Sequence, residues 1–285
     1  MPSRPDVAGT GERGRVSTIG DRGAAFGELA RTAGPAGFLR GRVVSVHRRA
    51  VYLRFGDVLV AHVGTGVDAG PLHLRGPVLP PARPGEAVRC DGARIEARQW
   101  AVRCDVPDRI GVLPGPGELA RARHRGAPAG ARVPAEAGAA TGAVALAVRD
   151  GDLAGAADLL GGRGPGLTPA GDDVLAGLLL VARALWGPAA EPWLTGTAGR
   201  VPTTGHARAF LHWAARGQGL APEHAWLAAV VSGRPGERLR LEHRLAGIGA
   251  SSGRCLVAGL RLGLAQLPVS PVETQVSTAA AGPGL

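Results

Sequence analysis

A chain of 285 residues with 33 basic and 23 acidic side chains carries a formal charge of +10 and a pI near 11.3, and every one of the basic side chains is arginine. The lack of lysine excludes a P-loop lysine, a Schiff-base enzyme and a pyridoxal phosphate enzyme. Such a charge suits nucleic acid, but the arginines are scattered along the chain and are not interleaved with aromatic residues, so the sequence points to a small anionic partner and no nucleic acid.

Residues 1–33 are rich in Gly, Arg and Asp with little periodicity and read as a disordered or weakly ordered N-terminus, with one short helix in AAFGELARTA. From 34 to 107 the pattern is that of strands. RVVSVH, AVYLRF and VLVAHV flank a Gly56-Asp57 turn, and EAVRC, ARIEA and WAVRC surround Asp91-Gly92, residues that tolerate the positive φ of tight hairpins. Between 108 and 267 the composition turns to Ala, Leu and Arg at helical spacing: ELARARHRG, AVALAVRDGDLAGAADLL, a long apolar run after Pro169, ARAFLHWAARG, AWLAAVVSG and CLVAGLRLGLAQL. The fold class expected is therefore α+β, a small antiparallel β barrel or sandwich followed by a mainly helical domain. GAPAGARVPAEAGAATG reads as a flexible loop suited to a lid, and 268–285 as a disordered tail.

No apolar run is long enough for a membrane span, and the first residues lack the apolar core of a signal peptide. Cys90, Cys104 and Cys255 form neither a CxxC pair nor an even framework, which fits reducing cytoplasm. The eight histidines show no metal-binding spacing.

The densest chemistry lies in GRGPGLTPAGDDVLAG, Gly162 to Gly177. Thr168-Pro169 reads as an N-cap followed by proline in the first helical position, so a helix is expected to start at Pro169 with Asp172 and Asp173 in its first turn. The helix start offers amide N–H groups, and Gly164 and Gly166 let a ligand approach the backbone, with Arg163 placed to grip an anion. Two carboxylates at the mouth of a buried helix are costly if unpaired, which points to function; the simpler alternative is that they complement the helix dipole. They would also accept Mg²⁺ beside a phosphate, although the chemistry requires no cofactor.

Elsewhere, Thr203 and Thr204 precede the helix ARAFLHWAARG and are natural caps, with His206 beside them. Gly249 to Gly253 has the spacing of a GxSxG elbow, but no histidine follows His243. Ser251 and Ser252, with Gly253, read instead as capping and anion-binding groups. DVLAGL from Asp173 and CLVAGL from Cys255 both follow a glycine-rich turn, so the two helices are expected to cross at Gly177 and Gly259 and bring both turns to one pocket.

GPGLTPAGDDVLAG resembles the signature of the AllH-type family, once a domain of unknown function and later linked to oxamate carbamoyltransferase. Weaker similarity lies in SVHRRAVYL, GPLHL, TTGHARAFLHWAARG and IGASSGRCLVAGL. The resemblance implies carbamoyl transfer between carbamoyl phosphate and oxamate, or oxalurate phosphorolysis in reverse, within purine-nitrogen catabolism, with other subunits as partners. It raises Thr203 and Thr204 to candidate substrate contacts beside Ser251 and Ser252, while Asp172 and Asp173 are the catalytic candidates. The last motif has Ala250 where the family usually has histidine and Cys255 where it usually has aspartate, which keeps open a non-catalytic anion-binding or regulatory subunit.

Overall fold

A computed structural model describes residues 15–33, 37–126 and 132–271. The chain divides into two compact units, Met1–Val67 with His73–Asp108, and Asp68–Leu72 with Arg109–Leu285. The fold is mixed α/β, with one curled ten-stranded sheet and a set of helices.

The first unit begins with β1 (Arg15–Thr18), β2 (Asp21–Gly23) and the helix α1 (Ala24–Ala33). Residues 15–33 are thus structured where weak order is expected, while 1–14 lie outside the described residues. The expected short helix in AAFGELARTA is α1, and it buries Phe26 and Leu29 on one face. Eight strands follow: β3 (Leu39–His47), β4 (Ala50–Phe55), β5 (Val58–Gly64), β6 (His73–Gly76), β7 (Ala87–Cys90), β8 (Arg94–Glu96), β9 (Trp100–Arg103) and β10 (Asp108–Arg109).

The strand order is β1-β9-β8-β7-β3-β4-β5-β6-β2-β10. In place of a closed barrel or a two-sheet sandwich, the strands form a single curled sheet, a half-barrel, with β1 and β10 at its edges. The sheet is also not wholly antiparallel, because β1 pairs with β9 and β5 with β6 in parallel. Neither pairing is signalled by local turns, since parallel neighbours need a crossover and not a hairpin. Val43, Leu53, Val60, Val88, Ile95 and Val102 are buried in the core of this unit.

The second unit contains α2 (Pro116–Gly126), α3 (Thr141–Arg149), α4 (Leu153–Leu160), α5 (Ala170–Trp186), α6 (Glu191–Arg200), α7 (Gly205–Ala215), α8 (Ala221–Val231), α9 (Pro235–Ala246) and α10 (Ser252–Gln266). In α5 every residue except Arg183 is buried, and α10, α7, α2 and α4 pack around it. An apolar helix of this kind is stable only where neighbours cover every face. AVALAVRDGDLAGAADLL, read as one segment, is broken into α3 and α4 at Gly151 (φ +75°), after which the Asp152 carboxylate accepts the Gly155 N–H at 2.8 Å and caps α4. Part of the expected lid, 127–131, lies outside the described residues. Ala135–Ala137 of the same stretch form a short 3-10 turn packed on α5.

Helices α5 and α10 do cross at Gly177 and Gly259. A Cβ on Gly177 would lie 2.6 Å from the Leu256 carbonyl oxygen, and one on Gly259 would collide with the Val174 carbonyl. Only two glycines allow the backbones this close.

Candidate functional site

The crossing of α5 and α10 sets the turns ahead of the two helices side by side. Thr168, just before α5, and Ser252, the first residue of α10, meet hydroxyl to hydroxyl at 3.1 Å. Thr168 is not the cap predicted for it. Pro169 holds the N-cap position, the helix starts at Ala170, and the Thr168 side chain is released towards α10.

The two aspartates of the first turn have different surroundings. Asp172 is buried, and its carboxylate accepts the Gly162 N–H at 2.8 Å and the Thr203 hydroxyl. Burial raises its pKa, and these two hydrogen bonds oppose the rise. Both oxygens therefore tie the glycine turn and the start of α7 to the base of α5. Asp173 is 8% exposed and has one such bond, from the Ser252 hydroxyl, while its Oδ2 has no partner. Burial pushes its pKa up to about 7; the Ser252 hydrogen bond works against this, and the charges of Asp172 and Glu223 add to it. The Thr168–Ser252 hydroxyl pair, in which either can donate, thus lies beside the Asp173 carboxyl.

The amides at the start of α5 are engaged by the chain itself. Gly171 N–H donates to the Arg163 carbonyl at 2.9 Å, and those of Asp172 and Asp173 donate to the Pro169 carbonyl at 3.0 and 3.2 Å. This corrects the expectation of an open row of amides for an anion. The turn itself remains exposed from Arg163 to Leu167. Gly164 (φ +107°) packs so closely that a Cβ would lie 2.8 Å from the Ala170 nitrogen, while Gly166 (φ +101°) has open space beside it. The Arg163 side chain is exposed, with Nη1 donating to the Gly138 carbonyl at 3.4 Å.

Of the other candidates, Thr204 caps α7 by accepting the Ala207 N–H at 3.1 Å, and its hydroxyl donates to the Leu167 carbonyl. Ser251 holds the N-cap position of α10 without a side-chain cap bond. Gly253 is buried against the Leu245 carbonyl, where no side chain would fit. Arg254, in the first turn of α10, is ion-paired with Glu136 at 2.9 Å.

Two further groups lie near Asp173. Glu223, in the first turn of α8, is 3% exposed, accepts the Leu220 N–H at 2.6 Å and has a pKa pushed up to about 7 by burial. Its only local signal is an acidic residue following proline at a helix start, which reads as capping. Cys255 is buried and its thiol is pushed up to about 11, first by burial and then by the charge of Asp173, so a neutral thiol lies beside the aspartate.

Both Asp172 oxygens already accept protein hydrogen bonds, and among the described residues no group of three His, Cys, Asp or Glu could hold a metal ion. The three cysteines are free and buried. Among the described residues no helix is long and apolar enough to cross a membrane.

Residues 160–264 match the family model described as oxamate carbamoyltransferase subunit AllH. The match covers the turn, α5 to α9 and most of α10, where the resemblance is strongest in the sequence. No curated protein and no solved structure matches the chain.

Proposed function

We propose that the helical unit binds a small anion bearing a carbamoyl or carboxamide group, and that the chain serves as a subunit of a cytoplasmic carbamoyltransferase acting between carbamoyl phosphate and oxamate, or on oxalurate and phosphate in reverse. The observation that carries this reading is the unpartnered Oδ2 of Asp173, buried beside the Thr168–Ser252 hydroxyl pair under an exposed glycine turn. A carboxylate oxygen held out of water without a donor is costly, and an N–H group of a ligand removes that cost. Carbamoyl and oxamate nitrogens supply such a donor. The anionic end belongs with the exposed Arg163 and not with the α5 amides, which are already engaged.

Catalysis on this reading consists of positioning and proton exchange. Asp173 titrates near neutral pH, so it can orient the nitrogen and take or return a proton without a covalent intermediate. Asp172 acts as a positioning residue, fixing the turn through Gly162 and Thr203. The family match supports a subunit of a larger assembly, so turnover belongs to the complex.

Asp173→Asn should abolish oxalurate phosphorolysis by the assembled complex while the folded protein persists; unchanged turnover removes Asp173 from the chemistry. The second reading, a non-catalytic anion-binding or regulatory subunit, is favoured by Cys255, which leaves Asp173 without the neighbouring carboxylate usual in the resembled family. Thermal shift with oxamate, carbamoyl phosphate and phosphate is expected to stabilise the protein on either reading, and turnover separates them.

A further inference from the structure

Scatter along a chain does not imply scatter in space, and the register of the sheet collects arginines. Arg40 of β3 lies directly opposite Arg89 of β7, Arg42 opposite Arg54 of β4, and Arg94 of β8 opposite Arg103 of β9. Directly opposed residues on antiparallel strands point to the same face, about 5 Å apart. The alternation along β3 and β7 puts Arg40, Arg42 and Arg89 outside and Val43, Val88 and Cys90 inside. Like charges placed opposite one another destabilise a sheet, so the three pairs are kept at a cost that a polyanion would remove.

The carboxylates on this side do not neutralise the face. Glu96 is shared by Arg89 and Arg94, and Asp105 holds Arg103. Asp91 lies at the β7–β8 turn, where its side chain accepts the backbone N–H groups of Ala93 and Arg94. Arg40, Arg42 and Arg98 are exposed and have no ion pair among the described residues. A groove of about 430 Å³ lies beside Arg40 and Arg98, lined also by Arg89 and Glu96 over a floor that includes Gly41 and Ala87. Phe38, 55% exposed just ahead of β3, carries the Arg89 guanidinium 4.8 Å over its ring.

We propose that the outer face of β3, β7, β8 and β9 binds single-stranded nucleic acid, with phosphates held by Arg40, Arg42 and Arg98 and a base stacked on Phe38. An acidic protein surface would meet the same charges; a single strand brings, besides its phosphates, planar bases that suit a groove whose lining is mainly apolar, over Ala87, Val88 and Ala97. A splayed base fits a groove of this size, and a single strand can present one beside its phosphates whereas a paired base stays in its stack. Guanidinium forks hold phosphate oxygens in pairs, and a solvated sheet face lets several act along one strand.

The test is fluorescence anisotropy of the full chain with a labelled oligothymidylate of about 20 nucleotides, a duplex of equal length and polyglutamate, across a salt series. The single strand should bind most tightly. Substituting Arg40, Arg42 and Arg98 together with alanine should weaken it tenfold or more and flatten the log–log salt slope by about 2, the value for three lost phosphate contacts at about 0.7 each. These side chains are exposed, so circular dichroism of the triple variant should match the parent; if it does not, Arg98→Ala alone, outside the strands, is read instead with a smaller loss in the same direction. The proposal is overturned if no oligonucleotide binds at low salt, if the substitutions leave affinity unchanged, or if polyglutamate binds more tightly than the single strand.

Discussion

In the helical unit Asp172, Asp173 and Glu223 are taken out of water around the first turns of α5 and α8, whereas on the outer face of the sheet unit the arginines of β3, β7, β8 and β9 stay in it. Burial makes each carboxylate count singly: it raises the pKa of Asp172 and of Asp173 alike, and the hydrogen bonds each accepts oppose the rise. Solvation makes each arginine weak alone and useful only in number, with an effect that salt removes. The first arrangement suits the recognition of one small ligand, the second the holding of a long polyanion.

Three substitutions in the helical unit sharpen that contrast. The largest effect is expected at the helix crossing, where Gly259→Ala forces a methyl group into the Val174 carbonyl and must push α10 from α5. A loss of about 3 kcal/mol in urea unfolding is expected. A value below about 0.5 kcal/mol would mean that the crossing is not tightly packed.

Next comes Asp172→Ala, which leaves the Gly162 amide and the Thr203 hydroxyl without their acceptor. Equilibrium unfolding should show a loss of about 2 kcal/mol, the range of hydrogen bonds to a charged group. Because the residue fixes the turn, ligand affinity should fall with it. A stable variant that has lost only turnover would make Asp172 a catalytic group and not a positioning one.

The smallest effect on stability, and the most diagnostic, concerns Asp173. Its pKa is raised to about 7 by folding, so the unfolded chain releases its proton between about pH 4 and 7 while the folded protein keeps it. The folded state then loses stability as pH rises through that window, and above it the loss is complete. Asn cannot ionise, so Asp173→Asn should raise Tm by about 3 °C or more at pH 8 and leave it nearly unchanged at pH 4. An equal shift at both pH values would show that the carboxyl is not held protonated by burial. Function lost and stability gained by one substitution is the signature of a site under strain from its own chemistry.

Much of the helical unit was legible in the sequence because its signals are local. The apolar run of α5, the first-turn aspartates and the Ala-Gly pairs at Gly177 and Gly259 each state their roles within a few residues. Helices α6 and α9 were not found. In α9 three arginines and two glutamates surround three leucines, of which Leu239 is 52% exposed, so its apolar stripe is thin. The place of Thr168 was off by one residue, since a hydroxyl ahead of proline can cap its own helix or reach another, and only the presence of Ser252 decides.

By itself the sequence determined what depends on residue chemistry and near neighbours: no lysine chemistry, the hairpins, α1, the long buried helix and the family match of its segment. Tertiary structure decided what depends on partners far along the chain. It engaged Asp172 with Gly162 and Thr203 but left Asp173 Oδ2 open, filled the α5 amides with carbonyls, and kept the sheet open with parallel pairs. It also set arginines from β3, β7, β8 and β9 on one face. The physical reason is the same in each case: hydrogen bonds and charges are settled by whichever group reaches them first in space, and that distance is set by register and helix crossing.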